Sequence, residues 1–331
     1  MIDFVEIKNY KCFEDTKIEG FERVNLIGGL NNAGKTVLLE ALHLSTEPSF
    51  ENIVLHSKLR GENIELSEKP WDYLFFKNNS DVNIFIGDYL YSKGDDSHRD
   101  KQEIIDGYNY DKFDFFIAGF FVKNMPIDKK TLRNINDFKK IIPKQNNFIA
   151  PTEPFNSEKL VSDFNTVENN QQEHLIIDFL KTIDNSITDI RVSVQGGVHL
   201  RVKKNNNGLT PLTALGDAAK RVARIAITAL SGDHKVIFID EIENGIHYTA
   251  HHEFWRLLFH LAQSLDLQVF ATTHSLEMIK AFHKIAVEKE VKDATYFELF
   301  RHGRTDKIVG KKQSIETLTY RLERNLELRG E

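Results

Sequence analysis

The sequence predicts an α/β fold with a mainly parallel core sheet, and three stretches predict it. Val24-Asn-Leu-Ile-Gly28 is a short apolar run that leads into Gly29-Leu-Asn-Asn-Ala-Gly34-Lys35-Thr36, after which Val37-Leu-Leu-Glu-Ala-Leu42 continues as a helix. Lys235-Val-Ile-Phe-Ile-Asp240-Glu241 and Leu267-Gln-Val-Phe-Ala-Thr-Thr273-His274-Ser275 are two more apolar runs, each ending in polar residues. Runs of this kind read as strands covered on both faces. Polar residues at their carboxyl ends then fall on the side where open parallel sheets bind ligands.

The remaining elements follow in chain order. Phe4-Val-Glu-Ile-Lys8 alternates like a strand, and Thr16-Lys-Ile-Glu19 is a second one before the turn at Gly20. Val82-Asn-Ile-Phe-Ile86, Glu103-Ile-Ile105 and Phe113-Asp-Phe-Phe-Ile117 are expected as an antiparallel meander, with Ser92–Ser97 a polar loop inside it. From Ile127 to about Ile187 the periodicity is helical. Leu132, Ile135 and Phe138 form one apolar stripe, Leu160, Phe164 and Val167 a second, and Leu175, Phe179 and Ile183 a third. Packing of helices on one another accounts for these stripes, because no heptad persists long enough for an extended coiled coil. Asp189–Val194 and Val198–Val202 flank Gln-Gly-Gly and read as a hairpin; Asn205–Gly208 then turns the chain into Thr213-Ala-Leu-Gly-Asp217 and a long helix through Ala229. After His274 come a helix, strands Thr295–Leu299 and Lys307–Val309, and a last helix from Ser314. The expected organisation is one head over residues 1–331, with a loop-bearing lobe and β meander (1–126), an inserted helical arm (127–187) and a second lobe (188–331).

A chain of 331 residues has ample material for a core. Its net charge of −6 gives no global attraction to nucleic acid, so DNA contact would need a local basic patch. Lys139-Lys140 with Lys144, and Arg201 with Lys203-Lys204, are the clusters that offer one. A single cysteine, Cys12, excludes an internal disulfide and fits a reducing cytosol. No apolar run approaches the roughly 20 residues of a membrane span, and Met-Ile-Asp-Phe-Val lacks a signal layout. The expectation is a soluble, cytoplasmic protein with no membrane contact.

The loop at 29–36 fits G-x-x-x-x-G-K-[ST] without a mismatch, and it lies between a strand and a helix as that motif requires. Its glycines and Asn32 let backbone N–H groups curl around the β- and γ-phosphates of a nucleoside triphosphate, ATP, and the helix that begins after Gly34 adds its positive end. Lys35 brings a point charge to the same oxygens, and the Thr36 hydroxyl is a ligand for Mg²⁺. A buried strand would deliver Asp240 to that Mg²⁺, Glu241 would activate the attacking water, and His274 would hydrogen-bond the γ-phosphate or the water. Mg²⁺-assisted, in-line attack of water on the γ-phosphate is the reaction these groups imply.

Order along the chain narrows the class. Lys35 and Asp240 are far apart, and a meander, a helical segment, a hairpin and the helix opened by Leu215-Gly216-Asp217 intervene. With Ile7-Lys-Asn-Tyr-Lys-Cys-Phe13, Pro211-Leu-Thr-Ala-Leu-Gly-Asp-Ala-Ala-Lys-Arg221, Ile239-Asp-Glu-Ile-Glu-Asn-Gly-Ile-His247 and Thr272-Thr-His-Ser275, the chain resembles the ABC-type ATPase heads of the RecF, SMC and OLD group. Within that group it is most similar to small bacterial AAA-family ATPases of OLD-like antiphage systems. The resemblance implies an ABC-type P-loop NTPase fold and further roles. Lys11 would approach the phosphates, Glu243-Asn244-Gly245 would be the loop that crosses a dimer interface, and Gly216 and Asp217 would contact the γ-phosphate bound by the opposite subunit. ATP would then join two copies, because each completes the other's site. Ala218 departs from the second glycine expected of this signature, and Gln102 and Gln145 are the candidates for a glutamine loop.

Other readings carry less. His247, His251 and His252 have helical spacing, but with no H-E-x-x-H and no Cys partner a solvated helix face explains them better than a metal site. The stretch after His274 holds no acidic nuclease constellation, so an effector, a nuclease or toxin, is expected on a separate chain. The expected function is an ATPase whose self-association senses or clamps a macromolecule and controls that effector, in antiphage defence; a RecF-like DNA clamp is the alternative. A transporter subunit fits poorly, since neither the N-terminal segment nor the signature is transporter-like.

Overall fold

The computed structural model describes residues 1–48, 50–61, 74, 76–78, 84–86, 89–93, 113–117, 120–125, 147–151, 157–194, 197–205, 208–232, 234–324, 326 and 328. Alternation builds the first lobe: β1 (Phe4–Tyr10) and β2 (Phe13–Glu19) pair antiparallel, with Val5, Ile7 and Ile18 buried. The continuous apolar run β3 (Val24–Gly29) is buried throughout and feeds α1 (Lys35–Thr46), followed by α2 (Phe50–Leu59). β4 (Ile84–Ile86), β5 (Tyr89–Lys93), β6 (Phe113–Ile117) and β7 (Phe120–Met125) extend the first hairpin into a six-stranded antiparallel sheet, ordered β2-β1-β4-β5-β7-β6. The meander is therefore present, but Ser92 and Lys93 belong to β5 and not to a polar loop. The expected strand Glu103–Ile105 lies outside the described residues, as do Leu132, Ile135, Phe138, Gln102, Gln145 and the cluster Lys139, Lys140, Lys144.

Residues 147–151 lie inside the stretch read from sequence as a helical insertion, yet β8 (Phe148–Ile149) is a strand. It pairs in parallel with β12 (Val236–Ile239) through Phe238↔Phe148 and Ile239↔Ile149 and forms the edge of the core sheet. Two residues are too few to show a strand's period, and both rings and branched chains suit a helix stripe equally well. Beyond it the helical expectation holds: α3 (Ser157–Asn169) buries Leu160, Phe164 and Val167, and α4 (Glu173–Lys181) buries Phe179. Both helices pack into the main core cluster. β9 (Ile187–Ser193) and β10 (His199–Lys204) form the expected hairpin, and β11 (Leu209–Pro211) adds a third strand before a turn of 3₁₀ helix. Helix α5 (Asp217–Leu230) precedes β12; α6 (His251–Ser264), β13 (Gln268–Thr272), α7 (Leu276–Glu288), β14 (Ala294–Arg301), β15 (Ile308–Gln313) and α8 (Ile315–Glu323) follow.

The core sheet runs β15-β14-β3-β13-β12-β8, parallel except for the β14–β15 pair. Side chains alternate between its faces. Leu26, Ile237, Ile239, Val269 and Ala271 join the core made with α3 to α7, while Ile27, Phe238 and Phe270 join a second core made with α1 and the β1–β2 hairpin. Because β3, β13 and β12 are neighbours with a common direction, the loop after Gly29, the threonines 272 and 273, and Asp240 emerge side by side at one edge. Among the described residues no helix is long and apolar enough to cross a membrane.

Candidate active site

Gly34 caps α1 with φ 88°, a left-handed conformation that suits glycine. A Cβ there would also meet Cys12 Sγ and Ile308 Cδ1 at 3.0 Å. No side chain caps this helix, so its first amides are left for a ligand, as an anion site at a helix N-terminus requires. Asn32, at φ 64°, is exposed on the loop. Lys35 is buried and folds back on the loop, its ammonium donating to the carbonyls of Gly29 and Leu30 at 2.9 Å each. Burial lowers its pKa, partly offset by Asp240, Glu243 and Glu241.

Thr36 and Asp240, far apart in sequence, meet here: Thr36 Oγ1 lies 3.1 and 2.9 Å from the two carboxylate oxygens. Thr272 Oγ1 donates to Asp240 Oδ1 at 2.6 Å. Burial raises the pKa of Asp240, with the hydroxyls of Thr272 and Thr36 acting against it. A hydroxyl and a buried carboxylate in contact are hard oxygen donors of the kind Mg²⁺ takes, and a buried anion is stabilised by a cation, so the pair fits the metal.

Glu241 adopts φ 49°, an uncommon conformation for a side chain of this size. Its N–H donates to Thr272 Oγ1 at 2.8 Å, and its carbonyl accepts from Arg221 at 3.0 Å. His274, after β13, donates its N–H to Glu243 Oε1 at 3.0 Å, and its ring Nδ1 lies 3.4 Å from the same oxygen. The Glu243 carboxylate thus faces the histidine of its own chain. Its Oε2 is buried with no partner among the described residues.

Lys11 is held by a carboxylate. Its ammonium sits on Glu40 Oε2 at 2.8 Å, largely buried, in a cluster where Arg60 Nε also donates to Glu40 at 2.7 Å. To bind phosphate it would have to leave that carboxylate. Burial alone would raise the Glu40 pKa, but Lys11, His56 and Arg60 outweigh it and hold the group at about 2. The sign follows: this stabilisation is complete above the ordinary carboxylate value of 4.5 and is lost as pH falls toward about 2. Glu40→Gln, which leaves the largely buried Lys11 ammonium facing an amide, should cost about 3–5 kcal/mol near neutral pH. Urea unfolding should show the gap to wild type narrowing across that acid window; a gap independent of pH would contradict the assignment.

Gly216 and Asp217 stand at the exposed start of α5, with open space around Gly216 and the Asp217 side chain paired locally with Lys220. The Cα of Ala218 lies 3.2 Å from where a Cβ of Gly245 would stand, so the loop after Asp240-Glu241 rests on the first turn of α5 because residue 245 has no side chain. His251 is buried, its Nε2 donating to the carbonyl of Ile246 at 3.0 Å, so it does not lie on a solvated face; among the described residues no three or more His, Cys, Asp or Glu side chains gather to hold a metal. Lys204 pairs with Asp184 at 2.8 Å, and Arg201 faces Arg191 across β9 and β10. The sequence marked Arg221 and Thr272 only as members of stretches that carry the resemblance, with no contact assigned to either, and gave no sign that Glu243 faces His274.

The family model described as "AAA domain, putative AbiEii toxin, Type IV TA system" matches residues 24–280. The chain belongs to this AAA-domain family. It is 26% identical to an "ATP/GTP phosphatase" of Helicobacter pylori (strain ATCC 700392 / 26695), over 88% of this chain and 90% of that protein. Two solved SMC heads share the fold. One, bound to the C-winged helix domain of ScpA, matches at TM-score 0.56 and 12% identity, over 96% of this chain and 99% of that one. The other is a head with an extended coiled coil bound to the C-terminal domain of ScpA derived from Pyrococcus furiosus, at TM-score 0.55 and 11% identity, over 98% and 99%. The AAA-domain chain is an ATPase with the SMC/ABC head fold.

Proposed function

We propose that two copies of the chain close on ATP, that each copy hydrolyses ATP in a site the other completes, and that this cycle controls a separate effector in antiphage defence. The meeting of Thr36 with Asp240, beside Lys35 and Glu241, carries the reading of the site. The loop amides and Lys35 bind the β- and γ-phosphates, with Lys35 exchanging the carbonyls of Gly29 and Leu30 for phosphate oxygens. Mg²⁺, held by Thr36 and Asp240, would supply charge neutralisation on those oxygens. Glu241 takes the proton of the attacking water, and His274, braced by Glu243, hydrogen-bonds the γ-phosphate or that water.

The exposed first turn of α5 supports action across a dimer, since its amides carry no side-chain cap and Asp217 faces solvent. Association with other proteins is supported by the two SMC heads, each solved with a ScpA domain.

A mixing experiment tests the composite site. Asp217→Arg should abolish hydrolysis while leaving ATP binding intact, because its charge disturbs the partner's site. Mixed with Lys35→Ala it should restore one working site per heterodimer, up to about half of wild-type activity if the sites act independently. No recovery, with mixing proven by differential tags, would show that both sites must fire together or that Asp217 does not act in trans.

A further inference from the structure

We propose that Arg221 is the positioning residue that fixes Glu241 to the signature helix of its own protomer, so that the helix expected to touch the partner's nucleotide also sets the reactive carboxylate at home. The inference rests on the composite-site reading and adds to it a physical link between the two sites.

The link is built from backbone contacts. Arg221 lies five residues after Gly216, a separation of roughly 7–8 Å along a rigid helix. Its guanidinium is buried and donates to three carbonyls: Ala150 at 3.0 Å, Glu241 at 3.0 Å, and Asp240. Two of these are successive and flank the Cα of Glu241. Nη2 donates to both of these carbonyls and Nη1 to that of Ala150, so the rigid fork ties the segment at Glu241 to the end of β8, a span that a lysine's single ammonium covers less well. On the other side, the Glu241 N–H is taken by Thr272 Oγ1 and the Ile242 N–H by the Thr272 carbonyl at 2.9 Å. Glu241 is therefore clamped between α5 and β13 at the point where its φ is 49°. A residue in that region persists only when its surroundings over-determine it.

The clamp has a second contact nearby. Gly245, four residues past Glu241, lies against Ala218 in the first turn of the same helix. A shift of the α5 start would thus reach both ends of the segment 241–245 through a packed contact and a set of hydrogen bonds. Arg221 uses its charge on carbonyls although Asp240 and Glu241 carry carboxylates close by, and its Nε is buried with no partner among the described residues. That arrangement holds the chain path and does not neutralise an acid.

Arg221→Met and Arg221→Lys test the role. For Arg221→Met the ATP dissociation constant should stay within about twofold of wild type, while kcat falls about 10²-fold, the effect of misplacing a reacting group by about 1 Å. Arg221→Lys should recover part of that loss. An unchanged kcat, or an ATP affinity that falls in step with kcat, would overturn the proposal; if Arg221→Met does not fold, the same split is read from Arg221→Lys. Mixing with Glu241→Gln then separates action in cis from action in trans. Asp217→Arg mixed with Glu241→Gln should regain one working site, whereas Arg221→Met mixed with Glu241→Gln should regain none, because both proteins lack a functional Glu241. Recovery in the second mixture would overturn the proposal. Failure of the first mixture alone would count against the composite site and the link across it, with the kcat split still deciding whether Arg221 sets Glu241.

Discussion

Replacing Lys35 with alanine should abolish ATP binding and leave the fold in place. The lysine is the cation of the phosphate loop, buried beside Asp240 and within the fields of Glu241 and Glu243, so an ammonium there is already held at a cost in solvation. Without it, the β- and γ-phosphate charges would face backbone dipoles alone, with three carboxylates close by. A hydrogen bond to a charged group is worth about 1.5–3 kcal/mol, and the lost charge adds to that, so affinity should fall by at least about 10²-fold. Titration calorimetry with ATP and Mg²⁺ is the measurement. An unchanged affinity would remove the loop from the nucleotide site.

Glu241→Gln should bind ATP and hydrolyse it very slowly. The amide keeps the length and shape of the side chain, and the clamp on the Glu241 backbone, made by Thr272 and Arg221, does not involve the side chain at all. Proton acceptance is the property removed, and a positioned general base contributes typically about 10²–10⁴-fold. Single-turnover hydrolysis measures this without interference from product release. Turnover at the wild-type rate would shift the role of base to His274.

The parts of this molecule that were legible in the sequence are those in which one short stretch carries its own context. The phosphate loop sits between a fully buried strand and a helix, and the runs ending at Asp240 and His274 are apolar on both faces, so their places in a parallel sheet follow from composition. The stripe of Leu160, Phe164 and Val167 is buried as helical spacing predicts, and in the next one Phe179 is buried while Leu175 and Ile183 are partly so. What stayed hidden depends on pairing across long separations. β8 is two residues long and is defined by its partner β12, not by any period of its own. Lys11 meets Glu40 and Arg60 only when the first hairpin folds over α1, and a lysine near a phosphate loop carries no mark of that choice. Arg221 reads as a charged position on an amphipathic helix, since backbone carbonyls leave no complementary residue in the sequence. His251 looks solvated from its neighbours His247 and His252, yet the carbonyl of Ile246 makes its burial tolerable.

Association driven by nucleotide is the central claim, because the exposed start of α5 has work to do only if a second copy brings its phosphates there. Light scattering of Glu241→Gln, with and without saturating ATP and Mg²⁺, addresses it directly, since the slow variant keeps ATP intact during the measurement. The account predicts a doubling of mass on addition of ATP, and loss of that doubling when Lys35→Ala is introduced as well. A mass that remains that of a single chain at saturating ATP would contradict it.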